Sequence, residues 1–127
     1  MKIANMLMVG CGGFVGAVLR YGLDRLIHSV TDVRFPLGTL IVNVIGCFLI
    51  GVLMVQVQEH AFLDSRVRSF VIIGFIGSLT TFSTFSFETI QLIRETAHHM
   101  AFLNLLVSVV LGFGSVLAGR ALAQYFT

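Results

Sequence analysis

Four stretches of the chain carry no charged residue: positions 3–19, 35–58, 69–87 and 100–119. Each is long enough, coiled as a helix, to cross a hydrocarbon core of about 30 Å. Charged residues gather between these stretches and at their ends. The pattern predicts four transmembrane helices, approximately 3–27, 36–58, 69–94 and 99–124, joined by short loops within one domain spanning 1–127. Pro36, the only proline, falls where the second helix begins, a position that tolerates the missing N–H.

Composition sharpens the picture. The chain is 57% hydrophobic and 11% charged, with a mean hydropathy of +0.98. A soluble domain of this size carries roughly twice that charged fraction. The expectation is an all-α integral membrane protein, multi-pass, in lipid bilayer. Lys2 before an apolar stretch imitates a secretory signal, but no small-x-small cleavage site follows and the apolar pattern runs past Arg20 to Ile27. The net charge of +2 supports no nucleic-acid partner. Cys11 and Cys47 lie inside spans without CxxC spacing and read as packing residues. His28, His60, His98 and His99 fall at helix ends or in loops and form no metal-ligand pattern.

Against this background the polar positions inside the spans stand out. The third span contains GSLTTFSTFSFE at 77–88, where six of the nine positions from Ser78 to Ser86 carry hydroxyls. Gly74, Gly77 and this hydroxyl block make a poor continuous helix, so a break is expected in the third helix. Freed carbonyls at membrane depth persist only inside protein or beside a cavity. Where a break meets its symmetry copy, converging carbonyls suit a small hard cation such as Na⁺. Phe82, Phe85 and Glu88 follow at three-residue spacing, on one face. An aromatic ring has a positive edge, so ring edges with hydroxyl and amide donors can replace the hydration shell of a small anion. Asn43 in the second span adds an amide, either as interhelical glue or as a donor to such an ion. Asn104, Ser108 and Ser115 form a thin polar stripe on the fourth span. Arg20 stands near the end of the first span, placed to concentrate anions or to snorkel. No nucleophile–base–orienter set is visible, so no enzyme is expected.

Charge placement gives no orienting bias. Lys2, Arg66, Arg68 and Arg120 fall on one side; Arg20, Arg25, Arg34 and Arg94 fall on the other. By the positive-inside rule such a chain has no preferred orientation, which raises the prospect of insertion both ways and pairing with an inverted copy. Gly10, Gly13 and Gly16, with Gly12 and Gly16 as a GxxxG pair, read as a packing face, and oligomerisation is expected.

Three stretches, GGFVGAVLRY (12–21), PLGTLIVNVIGCFLIG (36–51) and GFIGSLTTFSTFSFE (74–88), resemble the CrcB/Fluc fluoride channels, over essentially the whole chain. The resemblance implies an antiparallel, dual-topology homodimer in the cell inner (plasma) membrane of a microbe. Its two pores, lined by both subunits, would conduct fluoride selectively and passively out of the cytoplasm, reducing fluoride toxicity. It further implies that Phe82, Phe85 and Asn43 line the ion pathway, with Ser83, Thr84 and Ser108 on a polar track beside them. Arg20 corresponds to a vestibule position and Glu88 to the acidic residue closing the third motif. The carbonyls of Gly77 and Thr80 would hold a central structural Na⁺, a cofactor that is not transported. The chain departs from many relatives in reading Gly77–Ser78 where they have two glycines, and at Gly112 where some have serine.

Two rival readings use the same architecture. A small multidrug-resistance-type, proton-coupled exporter also has four short spans, but needs a carboxylate within the first helix. Here none occurs before Asp24 at its end. A non-transporting assembly subunit explains the glycines but leaves Asn43 and the hydroxyl–phenylalanine face without a task.

Overall fold

In the computed structural model, residues 3–60 and 64–126 are described, the side chains of 58–60 excepted; Lys2 of the charge tally lies outside them. Every regular element among the described residues is helical. They are α1 (Ile3–Val30), α2 (Leu37–His60), α3 (Ser65–Arg68), a π-helical stretch (Ser69–Ile76), α4 (Gly77–Leu79), α5 (Phe82–Arg94) and α6 (His98–Tyr125). The third span is thus Ser65–Arg94, assembled from four pieces, and four spans are long and apolar enough to cross a membrane. The Pro36 carbonyl accepts the Leu40 N–H at 3.2 Å, so the proline sits at the mouth of α2 as expected.

Two helix pairs make the body of the molecule. The first span packs against the π-helical stretch and α4, and α2 packs against α6. Both seams are built on glycine. Gly12 and Gly16 are the buried residues of α1. A Cβ on either would run into backbone, the carbonyl of Phe70 or of Phe75, and one on Gly74 would run into that of Val9. The second seam repeats the device: a Cβ on Gly51 would meet the Val116 carbonyl, and one on Gly119 that of Phe48. Small residues let helices approach to backbone contact where lipid offers no hydrophobic drive. The GxxxG pair is therefore consumed within the chain. Gly10, expected on the same face, has nothing near it.

The core is thin. Leu79, Val42 and Asn104 are the largest fully buried side chains, whereas Phe14, Phe102, Phe113 and many leucines and valines are exposed. In lipid that arrangement is stable, because exposed apolar surface costs nothing there.

The break in the third span falls in the Thr/Ser block that follows the two glycines, as expected. Gly77 is helical (φ −61°, ψ −29°), and so is Gly74 within the π-helical stretch. The chain leaves the helix at Thr80 (φ −81°, ψ 153°) and Thr81 (φ −149°, ψ 117°). β-branched residues accept extended backbone readily, which suits the paired threonines to this role. Hydrogen bonds of the wider π type already loosen the helix before it.

Candidate functional site at the interrupted helix

Extended backbone at membrane depth needs partners for its N–H and C=O groups. Asn43 supplies them for Thr81. Its Oδ1 accepts the Thr81 N–H at 2.8 Å and its Nδ2 donates to the Thr81 carbonyl at 3.2 Å. One amide N–H of Asn43 remains beyond this pair. Thr81 then caps α5: its Oγ1 accepts the Thr84 N–H at 3.2 Å and lies 3.1 Å from both the Ser83 and Thr84 hydroxyls. The residues that would donate to the Gly77 and Thr80 carbonyls in a continuous helix, Thr81 and Thr84, therefore donate elsewhere. Both carbonyls keep oxygen lone pairs at the break, hard donors of the kind that Na⁺ takes. No cluster of three or more His, Cys, Asp or Glu occurs among the described residues.

A cavity of about 490 Å³, open on one side, lies against this break. Asn43, Gly77, Thr80, Phe82, Phe85 and Ser108 all line it, so six of the expected site residues converge from three spans. The Phe82 and Phe85 ring centroids are 5.6 Å apart with planes tilted by 47°. Phe85 is buried and Phe82 is 79% exposed, so the pair runs from the interior to the open side. Tilted rings present edges as well as faces to their surroundings.

The remaining expected residues are placed differently. Arg20 and Thr84 line a second, smaller cavity of about 190 Å³, together with Tyr21, Asp24, Thr39, Val42 and Thr81. Thr81 borders both cavities. Arg20 faces this space beside the first turn of α5, where backbone N–H groups add to its positive field. Asp24 is there too, so the vestibule is not uniformly cationic. Ser83 is exposed and lines neither cavity; its hydroxyl serves the α5 cap. Glu88 also lines neither, and its Oε1 accepts the Thr39 hydroxyl at 2.8 Å.

Five of the six hydroxyls of the 78–86 block divide between two tasks. Thr80 and Ser86 bond back to the carbonyls of Ile76 and Phe82, the usual way a hydroxyl is satisfied inside an apolar helix. Thr81, Ser83 and Thr84 form the cap. Sequence reasoning gave no separate task to Thr81, though a threonine just before a helix is a capping signal. It also missed Thr39, which lies one helical turn before Asn43 and so shares its face.

These observations define the class: a small multi-pass helical membrane protein whose polar groups gather around an interrupted helix and the cavities that border it. The chain belongs to the family described as CrcB-like protein, Camphor Resistance (CrcB), whose model matches residues 7–120. Among its relatives is a protein of Azobacteroides pseudotrichonymphae genomovar. CFP2, 38% identical over 98% of this chain and 99% of the relative. One from Geobacter sp. (strain M21) is 49% identical over 84% and 86%, and one from Shewanella frigidimarina 41% identical over 94% and 96%. Each of the three is named a fluoride-specific ion channel, FluC.

Proposed function

We propose that this protein is a fluoride-selective passive ion channel of the microbial plasma membrane, and not an enzyme, exporting fluoride that accumulates in the cytoplasm. The observation that carries the reading is the cavity in which Asn43, Phe82, Phe85 and Ser108 meet beside the helix break. The names and coverage of the relatives point the same way. Fluoride is small and strongly hydrated, so a path for it must return many short hydrogen bonds as water leaves. The remaining Asn43 N–H, the Ser108 hydroxyl and the edges of two aromatic rings are donors of that sort. None carries a full positive charge, so an ion can bind and still leave.

The channel unit on this reading is an antiparallel, dual-topology homodimer with two pores. The larger cavity is open and Phe82 is mostly exposed, so a second copy of the chain is a fitting wall for both. The Gly77 and Thr80 carbonyls of two copies would together hold the structural Na⁺. When bound, the ion supplies a fixed positive charge and ties two breaks together. The role of Arg20 is to draw anions toward the second cavity, and that of Glu88, anchored by Thr39, is to shape its surroundings.

The test is ion efflux from liposomes containing the purified protein, with fluoride and chloride compared for wild type and Phe82→Ile. Fluoride efflux without chloride efflux, slowed at least tenfold by the substitution, is the expected result. Fluoride efflux that Phe82→Ile leaves unchanged keeps the channel and removes Phe82 from its pathway. No fluoride efflux from folded protein overturns the reading.

A further inference from the structure

One buried polar chain links the fourth span to the aromatic pair. Thr89 Oγ1 donates to the Phe85 carbonyl at 2.7 Å, and Asn104 Nδ2 donates to Thr89 Oγ1 at 2.9 Å. Ser108 Oγ donates to Asn104 Oδ1 at 3.4 Å. Asn104 is 1% exposed and Thr89 5% exposed, so neither exchanges these partners for solvent.

The order of donors from Asn104 through Thr89 to Phe85 is forced. A hydroxyl has one hydrogen, and that of Thr89 is spent on the Phe85 carbonyl. Toward Asn104, Thr89 can only accept, so the amide must turn its NH₂ to Thr89. Its oxygen then faces Ser108 and accepts that residue's only hydroxyl hydrogen. While Ser108 keeps this bond, its hydroxyl hydrogen points away from the cavity that it lines. In this state Ser108 shows the cavity lone pairs, which repel an anion. The last link is also the longest, well beyond the 2.7–2.8 Å usual for a hydroxyl donor, and is the one most easily released.

We infer that Asn104 is a positioning residue for fluoride passage: by holding the Ser108 hydroxyl hydrogen, it sets whether the fourth span offers the cavity a donor or an acceptor. This rests on the channel reading above. An arriving anion must draw the hydroxyl away from Asn104, so the affinity of the Ser108 position is lowered by the bond that is broken. A path built this way holds fluoride less tightly at that position.

The experiment measures initial fluoride efflux against internal fluoride concentration, in liposomes, for wild type, Asn104→Leu, Ser108→Ala and the double variant. Leucine keeps the branched shape of asparagine, is bulkier, and removes the side-chain acceptor, so the Ser108 hydrogen is released from Asn104. The half-saturating fluoride concentration of Asn104→Leu should fall about twofold to threefold, the low end of what one hydrogen bond supports, because this bond is long. In the Ser108→Ala background the same change should have no effect. Thr89→Val supplies an independent route, needed where Asn104→Leu fails to fold. Without an acceptor at Thr89 the amide is free to reverse and donate to Ser108, again freeing its hydrogen, so half-saturation should shift the same way and depend on Ser108.

Shifts of equal size with and without Ser108 overturn the inference and make Asn104 a packing residue, as does an unchanged half-saturation in both Asn104→Leu and Thr89→Val. Wild-type liposomes that release no fluoride overturn the channel reading itself, and the inference with it.

Discussion

Asn43 shows how a single amide can repair a broken helix and still face a cavity. Replacing it with leucine leaves the Thr81 N–H and C=O without partners at membrane depth, each costing about 1–3 kcal/mol. Asn43→Leu should therefore unfold in detergent several degrees below wild type, in a thermal melt followed by size-exclusion chromatography. Asn43→Asp separates repair from conduction. A carboxylate still accepts the Thr81 N–H but cannot, while ionised, donate to its carbonyl, and it sets a negative charge against the cavity. Fluoride efflux should fall at least tenfold while the melting temperature drops less than for leucine. The Thr39–Glu88 pair is tested by a double-mutant cycle: Thr39→Val should cost about 1–2 kcal/mol alone and close to nothing beside Glu88→Leu. At this scale the sequence was partly legible. Asn43, Phe82, Phe85 and Ser108 were visible because polar or patterned residues interrupt an apolar run, and all four meet in one cavity. Thr39 was not, since nothing local ties a threonine to a glutamate in another span. Nor was the placing of Thr84 in the second cavity, beside the Arg20 that was expected at a vestibule and not along the ion pathway.

Among the elements, the glycine seams make the sharpest claims. A Cβ on Gly12 meets the Phe70 carbonyl, a backbone atom that cannot step aside, whereas one on Gly10 meets nothing. Gly12→Ala should destabilise the protein by about 2 kcal/mol or more, by forcing α1 away from the third span. Gly10→Ala should lie within about 1 kcal/mol of wild type. Equal effects at the two positions would mean the seam is not where the structure puts it. The turn between α5 and α6 offers a stabilising change. Thr96 is left-handed (φ 60°), and the Ala97 and Thr96 N–H groups close α5 on the carbonyls of Leu92 and Ile93, at 2.9 and 3.0 Å. A glycine suits that closing position and a β-branched residue does not. Thr96→Gly should raise stability by about 0.5–1 kcal/mol, the hydroxyl bond from Thr96 to the Glu95 carbonyl being the interaction lost. The four spans themselves were legible from uncharged length, as was the existence of a break. Its site was legible as the hydroxyl block after Gly77; that Gly74 and Gly77 themselves stay helical while Thr80 and Thr81 carry the extended bend was not. Likewise Gly51 and Gly119 carried no signal, since their meaning lies in the facing carbonyls of another span.

For the whole molecule, the distribution of charge bears on how the chain enters the membrane. Arg66, Arg68 and Arg120 sit at one end of the bundle and Arg20, Arg25, Arg34 and Arg94 at the other, with Lys2 joining the first group in sequence. Topology follows the excess of Lys and Arg in short loops, and here that excess vanishes. A chain with no preference should enter in both orientations, which an antiparallel pair requires. This can be measured in cells with Cys11 and Cys47 replaced by alanine and Glu95→Cys added at the turn after α5. A membrane-impermeant maleimide should label about half of the molecules before permeabilisation and the rest after it. Labelling of all or none from outside would establish a single orientation and rule out the antiparallel pair. The same logic gives a functional consequence. Thr31→Lys with Asp32→Lys adds positive charge to the loop before α2 and should drive most chains into one orientation. If opposite orientations must pair, fluoride efflux should then collapse although each chain folds, and co-expression with a chain biased the other way, by Asp64→Lys with Ser65→Lys, should restore it. Efflux that persists in a uniformly oriented population would place the complete pore within one chain or a parallel assembly. In that case the exposed side of Phe82 would face lipid or a like-oriented neighbour, in place of an inverted copy.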